Sequence, residues 1–308
     1  MAGCVTHLII AQKLLSRSNE HSAWGVGREH QAWFLLGANA PDGGVYPGGH
    51  RILSDFSHYI TPADLVRTMF ELAETSQQRS FSLGWLTHVV ADSIIHPLVN
   101  REVGRRLGLA REASYFQDPA MHLKVELGFD ADVYDVLRLP YPRLSQQKLA
   151  TISAFLHRAY CTAYRCQFDV ESFNASLSAL NRYATWAIAL CRLNRCSHRS
   201  SVSLSKCVLV TLGALSPLAG IGNEAKAFFQ TIAPSATFER EMWEGIERTI
   251  QECQEHLRCN LEQLENHNLD TGELCSCDES YPPAIQAKLR LTEYRTRLAP
   301  LGPQHFVG

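Results

Sequence analysis

Gly84-Trp-Leu-Thr-His88-Val-Val-Ala-Asp92-Ser-Ile-Ile-His96-Pro97 is the stretch on which the reading of the fold turns. Its three side chains of metal-ligand type, His88, Asp92 and His96, stand at i, i+4 and i+8, and nearly everything between them is apolar. On an α-helix, positions four apart lie one turn apart on one face. Burying three such groups on an apolar helix is costly unless something pairs them, and metal ions satisfy all three at once. His122-Leu-Lys-Val-Glu126 repeats the logic. An imidazole and a carboxylate at that separation chelate one ion from a single turn, with Zn–N near ~2.0–2.1 Å. Thirteen histidines are present, and the run from His7 through His21, His30, His50, His58, His88 and His96 to His122 crowds into the N-terminal half.

Outward from this core, the chain reads as all-α. Val5 to Leu15 is apolar at helical spacing, and Ala32 to Leu36 is a short apolar run that breaks at Gly37. Gly37 to Gly49, with Pro41-Asp42-Gly43-Gly44 and Pro47-Gly48-Gly49, reads as a loop. Thr61-Pro62 predicts an N-cap and first helical residue for a helix to about Glu74. Ser80 to Ile95 predicts a helix that Pro97 ends near His96. Pro119 opens another, through about Leu137. Beyond Pro140, helices are predicted over Leu144–Tyr164, Val170–Leu193, Ser203–Leu215, Phe238–Glu265 and Pro283–Leu298, with a polar loop from Asn266 to Tyr281. The expected organisation is a zinc-binding helical core over residues 1–140, with helical residues 141–308 packed on it.

The chain has 308 residues, 45% hydrophobic and 19% charged, enough for a sizeable buried core. A net charge of −2 gives no general attraction to nucleic acid, so no nucleic-acid partner is favoured. The longest apolar stretches, such as Val208 to Leu218, fall short of a spanning helix. Met1 to Leu15 has no basic n-region and no long apolar core, so the expectation is a cytoplasmic protein with reduced thiols. Cys275-x-Cys277 and Cys191-x4-Cys196 lack the spacing of a cysteine zinc site.

Five stretches together resemble the zinc-dependent phospholipase C family, which includes secreted bacterial phospholipases and the catalytic part of glycosylphosphatidylinositol-specific phospholipase D. They are Gly3-Cys-Val-Thr-His7, Gly37-Ala-Asn-Ala-Pro-Asp42, Ser57-His-Tyr59, Gly84 to Pro97, and Asp118-Pro-Ala-Met-His-Leu-Lys-Val-Glu-Leu-Gly-Phe-Asp130, in the family's order. The resemblance implies a phospholipase C/P1 nuclease-like helical bundle, here with extra C-terminal helices, holding two or three Zn²⁺ ions. It implies that Asp42, His58, His88 and Asp92 bind one ion, that His96, His122 and Glu126 bind a second, and that His7 and a bridging Asp92 bind a third. Asp42 also stands where the family places a candidate general base. The secreted members complete the third site with a processed N-terminal Trp. Here Met1-Ala-Gly-Cys4 precedes His7, and Cys4 is read as a core residue before a thiolate ligand. Asp92 and His96 also stand closer together than their counterparts in the secreted enzymes.

The implied function is hydrolysis of a phosphodiester, a phospholipid before others, with a transient contact at a membrane surface. Zinc brings the pKa of a bound water towards ~7, supplying hydroxide at neutral pH. A single-strand nuclease or 3′-nucleotidase shares the fold, but that family ends its ligand set with His and Asp where this chain has His122 and Glu126. A metal-binding interaction module without turnover is the third reading. His58 is preferred over His50 as the ligand. Trp33 and Trp85 are read as core, and Asp130 and Asp132 as a solvated face. Asp55 is read as a lesser candidate for orienting a histidine. Oligomeric state is not legible.

Overall fold

The computed structural model describes residues 3–17, 28–115, 117–138, 140–165, 167–199 and 231–274. The helices expected at Ser203–Leu215 and Pro283–Leu298 lie outside these residues, as does Cys275-x-Cys277.

Among the described residues the fold is helical, with one isolated β-bridge between His267 and Leu274. The helices are α1 (Cys4–Arg17), α2 (Gln31–Gly37), α3 (Arg51–Tyr59), α4 (Pro62–Leu72), α5 (Ser76–Arg106), α6 (Pro119–Val133), α7 (Gln146–Tyr164), α8 (Val170–Arg199) and α9 (Ala236–Arg258). The loop expected at 37–49 contains a short 3₁₀ turn, Ala40–Val45. Helix α3 is not anticipated by the sequence reading. Among the described residues, no helix is long and apolar enough to cross a membrane.

Helix α5 is the axis of the molecule, and α1, α2, α4, α6 and α9 pack against it. Its start is a capping box: Thr75 Oγ1 accepts from the Gln78 amide, and Gln78 Oε1 accepts from the Thr75 amide. It is buried on every side through its middle, which is why its apolar residues show no one-sided stripe.

The predicted stop at Pro97 is wrong. Helix α5 runs on to Arg106 with Pro97 inside it. Proline removes the N–H that would bond the Ser93 carbonyl, a local penalty that tertiary contacts overcome here. The chain at Gly272, at φ +72°, comes against the Ser93 carbonyl and the Pro97 ring. One turn on, Asn100 Nδ2 donates to the Asp270 carbonyl at 2.6 Å.

Two further expectations need correcting. Thr61 precedes α4 at φ 41° and makes no side-chain cap. Instead Asn266 Oδ1, some two hundred residues away in sequence, accepts from the Ala63 and Asp64 amides at 2.9 and 3.2 Å. The last described helix ends at Arg258 rather than near Glu265, because Asn260 and Leu261 adopt positive φ and turn the chain. Helix α6 starts at Pro119 as the sequence predicts, with Asp118 capping the Met121 amide at 2.9 Å.

The crossing of α2 over α5 depends on two glycines. A Cβ on Gly84 would lie 2.0 Å from the Phe34 carbonyl oxygen, and one on Gly37 would lie 2.1 Å from that of Phe81. This close approach carries the end of α2 down to His88, one turn beyond Gly84. Gly84→Ala is therefore expected to cost about 2–3 kcal/mol by forced overpacking. Urea unfolding with an unchanged m-value measures it. A loss below about 0.5 kcal/mol would show that the two helices separate freely.

Candidate metal centre

All eight residues singled out by the sequence converge, and all are buried: His7, Asp42, His58, His88, Asp92, His96, His122 and Glu126. Helix α1 brings His7, the 3₁₀ turn brings Asp42, and α3 brings His58. Helix α5 brings His88, Asp92 and His96, and α6 brings His122 and Glu126.

The Asp92 carboxylate is the hub. Its oxygens lie 3.1 Å from His88 Nε2, 3.2 Å from His7 Nε2, 3.3 Å from His58 Nε2 and 3.6 Å from His96 Nε2. Asp42 Oδ1 stands 3.3 Å from His58 Nε2. Glu126 Oε1 joins His122 Nε2 at 2.8 Å and His96 Nε2 at 3.3 Å. Three groups of donor atoms within 4.8 Å of one another emerge: His58, His88 and Asp92; His96, His122 and Glu126; and His7, Asp42 and His88.

This donor set fits zinc. Tetrahedral zinc with ~2.0–2.1 Å bonds sets its ligand atoms about 3.3 Å apart, close to the spacings around His58, His88 and Asp92. The tautomers agree. His88 Nδ1 donates to the Ala38 carbonyl at 3.0 Å, and His58 Nδ1 donates to the Ser54 carbonyl at 2.6 Å. Each ring therefore presents its Nε2 to the centre, and the two Nε2 atoms face each other at 3.2 Å. Two imidazole lone pairs so close demand a cation between them or a proton on one of them. Nearby, the Nδ1 atoms of His7, His96 and His122 are buried without a hydrogen bond.

The electrostatics are those of a cluster built for positive charge. Burial alone would push the Asp92 carboxyl up, but His96, His88 and His7 hold it well below its ordinary range. Glu126 is likewise held down by His122 and His96 against burial. Burial opposes the His58 imidazolium, yet its bonds to Asp42 and Asp92 raise it to about 9. Burial, then the His7 ring stacked 4.0 Å away, lowers His88 to about 4.

Other residues now have definite places. Asp130 is fully buried rather than solvated. Its carboxylate accepts from the Val5 amide at 2.9 Å, the Thr6 amide at 2.9 Å and the Thr6 hydroxyl at 2.6 Å, capping α1 one turn before His7. Gly3 belongs to the same device, since a Cβ there would lie 2.0 Å from Asp130 Oδ2. Cys4 joins none of the three donor groups. Burial, reinforced by Asp130 and Asp42, raises its thiol well above the ordinary range and keeps it protonated. His50 is exposed, and its amide donates to Ser176 Oγ at 2.9 Å. Asp55 pairs with Arg51 at 3.1 Å rather than with a histidine. Trp33 and Trp85 are core, as read.

Residues 6–187 match the family model for zinc-dependent phospholipase C. The chain belongs to the zinc-dependent phospholipase C family. The match reaches past Glu126 through α7 and into α8, well beyond the last motif legible by eye. No curated protein and no solved structure matches the chain significantly. As a member of this zinc-dependent family, the chain has several His, Asp and Glu groups able to hold metal.

Metal uptake should displace protons. In the metal-free centre His58, at about 9, is protonated at neutral pH, and zinc requires its neutral Nε2. Falling pH thus weakens binding, and affinity should rise about tenfold per pH unit for each displaced proton between about pH 6 and 8. Calorimetric zinc titrations in two buffers of different ionisation enthalpy measure this. Zero proton release with pH-independent affinity would contradict it.

Proposed function

We propose that the chain hydrolyses a phospholipid-type phosphodiester, with its eight convergent residues as the zinc ligands. One observation carries this reading: a fully buried carboxylate, Asp92, within 3.6 Å of four imidazoles, two of which face each other through Nε2 at 3.2 Å. Zinc, when bound, supplies Lewis acidity and an activated water.

The chain's own residues do the rest. Asp92, reached by histidines from both sides, would serve as a ligand to two neighbouring ions. The Ala38 and Ser54 carbonyls hold His88 and His58 in the tautomer that presents Nε2. Asp42 orients the attacking water and accepts its proton. Burial alone would raise its carboxyl, but His88 and His58 hold it lowered and ionised at neutral pH. Water adds at phosphorus, the bond to the glycerol oxygen breaks, and the alcohol departs with a proton. The products are a phosphomonoester and diacylglycerol. The family match and Glu126, in place of aspartate, favour this reading over a nuclease.

The test is to count metals in the purified protein and assay the zinc-loaded chain on bis-p-nitrophenyl phosphate, phosphatidylcholine and single-stranded DNA. Zinc retention with turnover of the lipid is expected. Failure to retain any transition metal after zinc supplementation would sink the reading, and metal without turnover would leave a binding module. Asp42→Asn is expected to lower kcat by about 10²–10⁴ while zinc at His96, His122 and Glu126 persists. Asp92→Asn should lose at least one zinc per chain and about a hundredfold or more in kcat/KM. Full zinc content and full activity in Asp92→Asn would refute the bridging role.

A further inference from the structure

The face of α3 that delivers His58 also carries Arg51 and Asp55, at i, i+4 and i+7. A cleft lined by Arg51, Ser54, Asp55, His58, Tyr59 and Tyr115 opens beside the metal centre. Arg51 is pinned in it. Its Nε donates to Asp55 Oδ1 at 3.1 Å, its Nη2 donates to the Tyr115 hydroxyl at 3.4 Å, and its guanidinium lies over the Tyr115 ring at 5.7 Å. These bonds use two of the five guanidinium N–H donors. Three are left without a protein partner among the described residues.

The Asp55 side chain is 5% exposed and that of Arg51 is 32% exposed, so the cation is the more accessible partner of the pair. Of the two tyrosines lining the cleft, Tyr115 already carries the Arg51 guanidinium over its ring, which leaves one aromatic face where a quaternary ammonium is best held by several. Asp55, which holds the guanidinium, stands three residues before His58 on α3, about 5 Å of helix rise.

We propose that Arg51 reads a second anionic group on the substrate, so that the head group accepted beside the metal centre carries a carboxylate or phosphate rather than a quaternary ammonium. This rests on the phosphodiester reading of the same centre. The pinned guanidinium offers its remaining donors as a fork, the geometry that suits both anions.

Binding rather than turnover tests it. Equilibrium affinities of the zinc-loaded full chain are measured for glycerophosphoserine, glycerophosphoinositol 4-phosphate and glycerophosphocholine. The two anionic head groups are expected to bind about tenfold tighter than the choline compound, one power of ten in Kd. Tightening by only one of them identifies whether carboxylate or phosphate is read. Equal affinities, a preference for choline or no binding of any compound overturns the proposal. Arg51→Met, checked for unchanged zinc content, is expected to erase the preference. Arg51→Lys, which keeps the charge and loses the fork, should retain part of it. A full preference in Arg51→Met would remove the role from this residue. Should the protein bind but not hydrolyse, the reaction proposed above fails while the affinity ratio still decides the head group.

Discussion

Helices α1, α3 and α5 meet at one buried carboxylate. Asp92 is fully enclosed, yet four imidazoles reach it within 3.6 Å. Taking so many ionisable groups out of water is expensive unless positive charge is shared among them. A helical bundle gains nothing in stability from such a centre that a leucine core would not supply better. It sits at the junction of α1, α3 and α5, and the surrounding packing must hold it closed.

That packing comes from restraints of long sequence range. The Gly37–Gly84 crossing lets the Ala38 carbonyl meet His88. Asp130, from α6, caps α1 and fixes the helix that bears His7. The segment 266–272, beyond the family match, touches three ligand-bearing regions at once. The Leu269 amide donates to the His58 carbonyl at 3.0 Å, Asp270 accepts from the Tyr115 amide at 3.1 Å, and Gly272 fills the space at Pro97. Residues after the matched region therefore contribute to the geometry of the centre.

The sequence disclosed what local periodicity can encode. His88, Asp92 and His96 share a helix, as do His122 and Glu126, so spacing alone grouped them. Asp42 and His58 stand on separate short elements and became legible only through resemblance to a family. Pro97 misled because the rule that proline ends a helix is local, while the contacts that keep α5 intact arrive from Asp270 and Gly272. Asp130 looked solvated because its partners, Val5 and Thr6, lie more than a hundred residues away. Asn266 was read correctly as loop, but nothing near it in sequence shows that it caps α4.

The same reasoning separates what the centre does from what it acts on. In the proposed reaction the cluster would be generic, since activated water and Lewis acidity serve any phosphodiester that reaches bound zinc. Selection has to come from groups beside it, and α3 carries both. His58 faces the cluster, while Arg51 and Asp55 line the approach from the same helical face. Because one short helix holds His58 and Arg51 in fixed register, a shift of α3 that altered the cleft would also move His58 Nε2 relative to Asp92. With the roles proposed above, chemistry and selectivity would be mechanically coupled. The clamp of 266–272 on the His58 carbonyl bears on both.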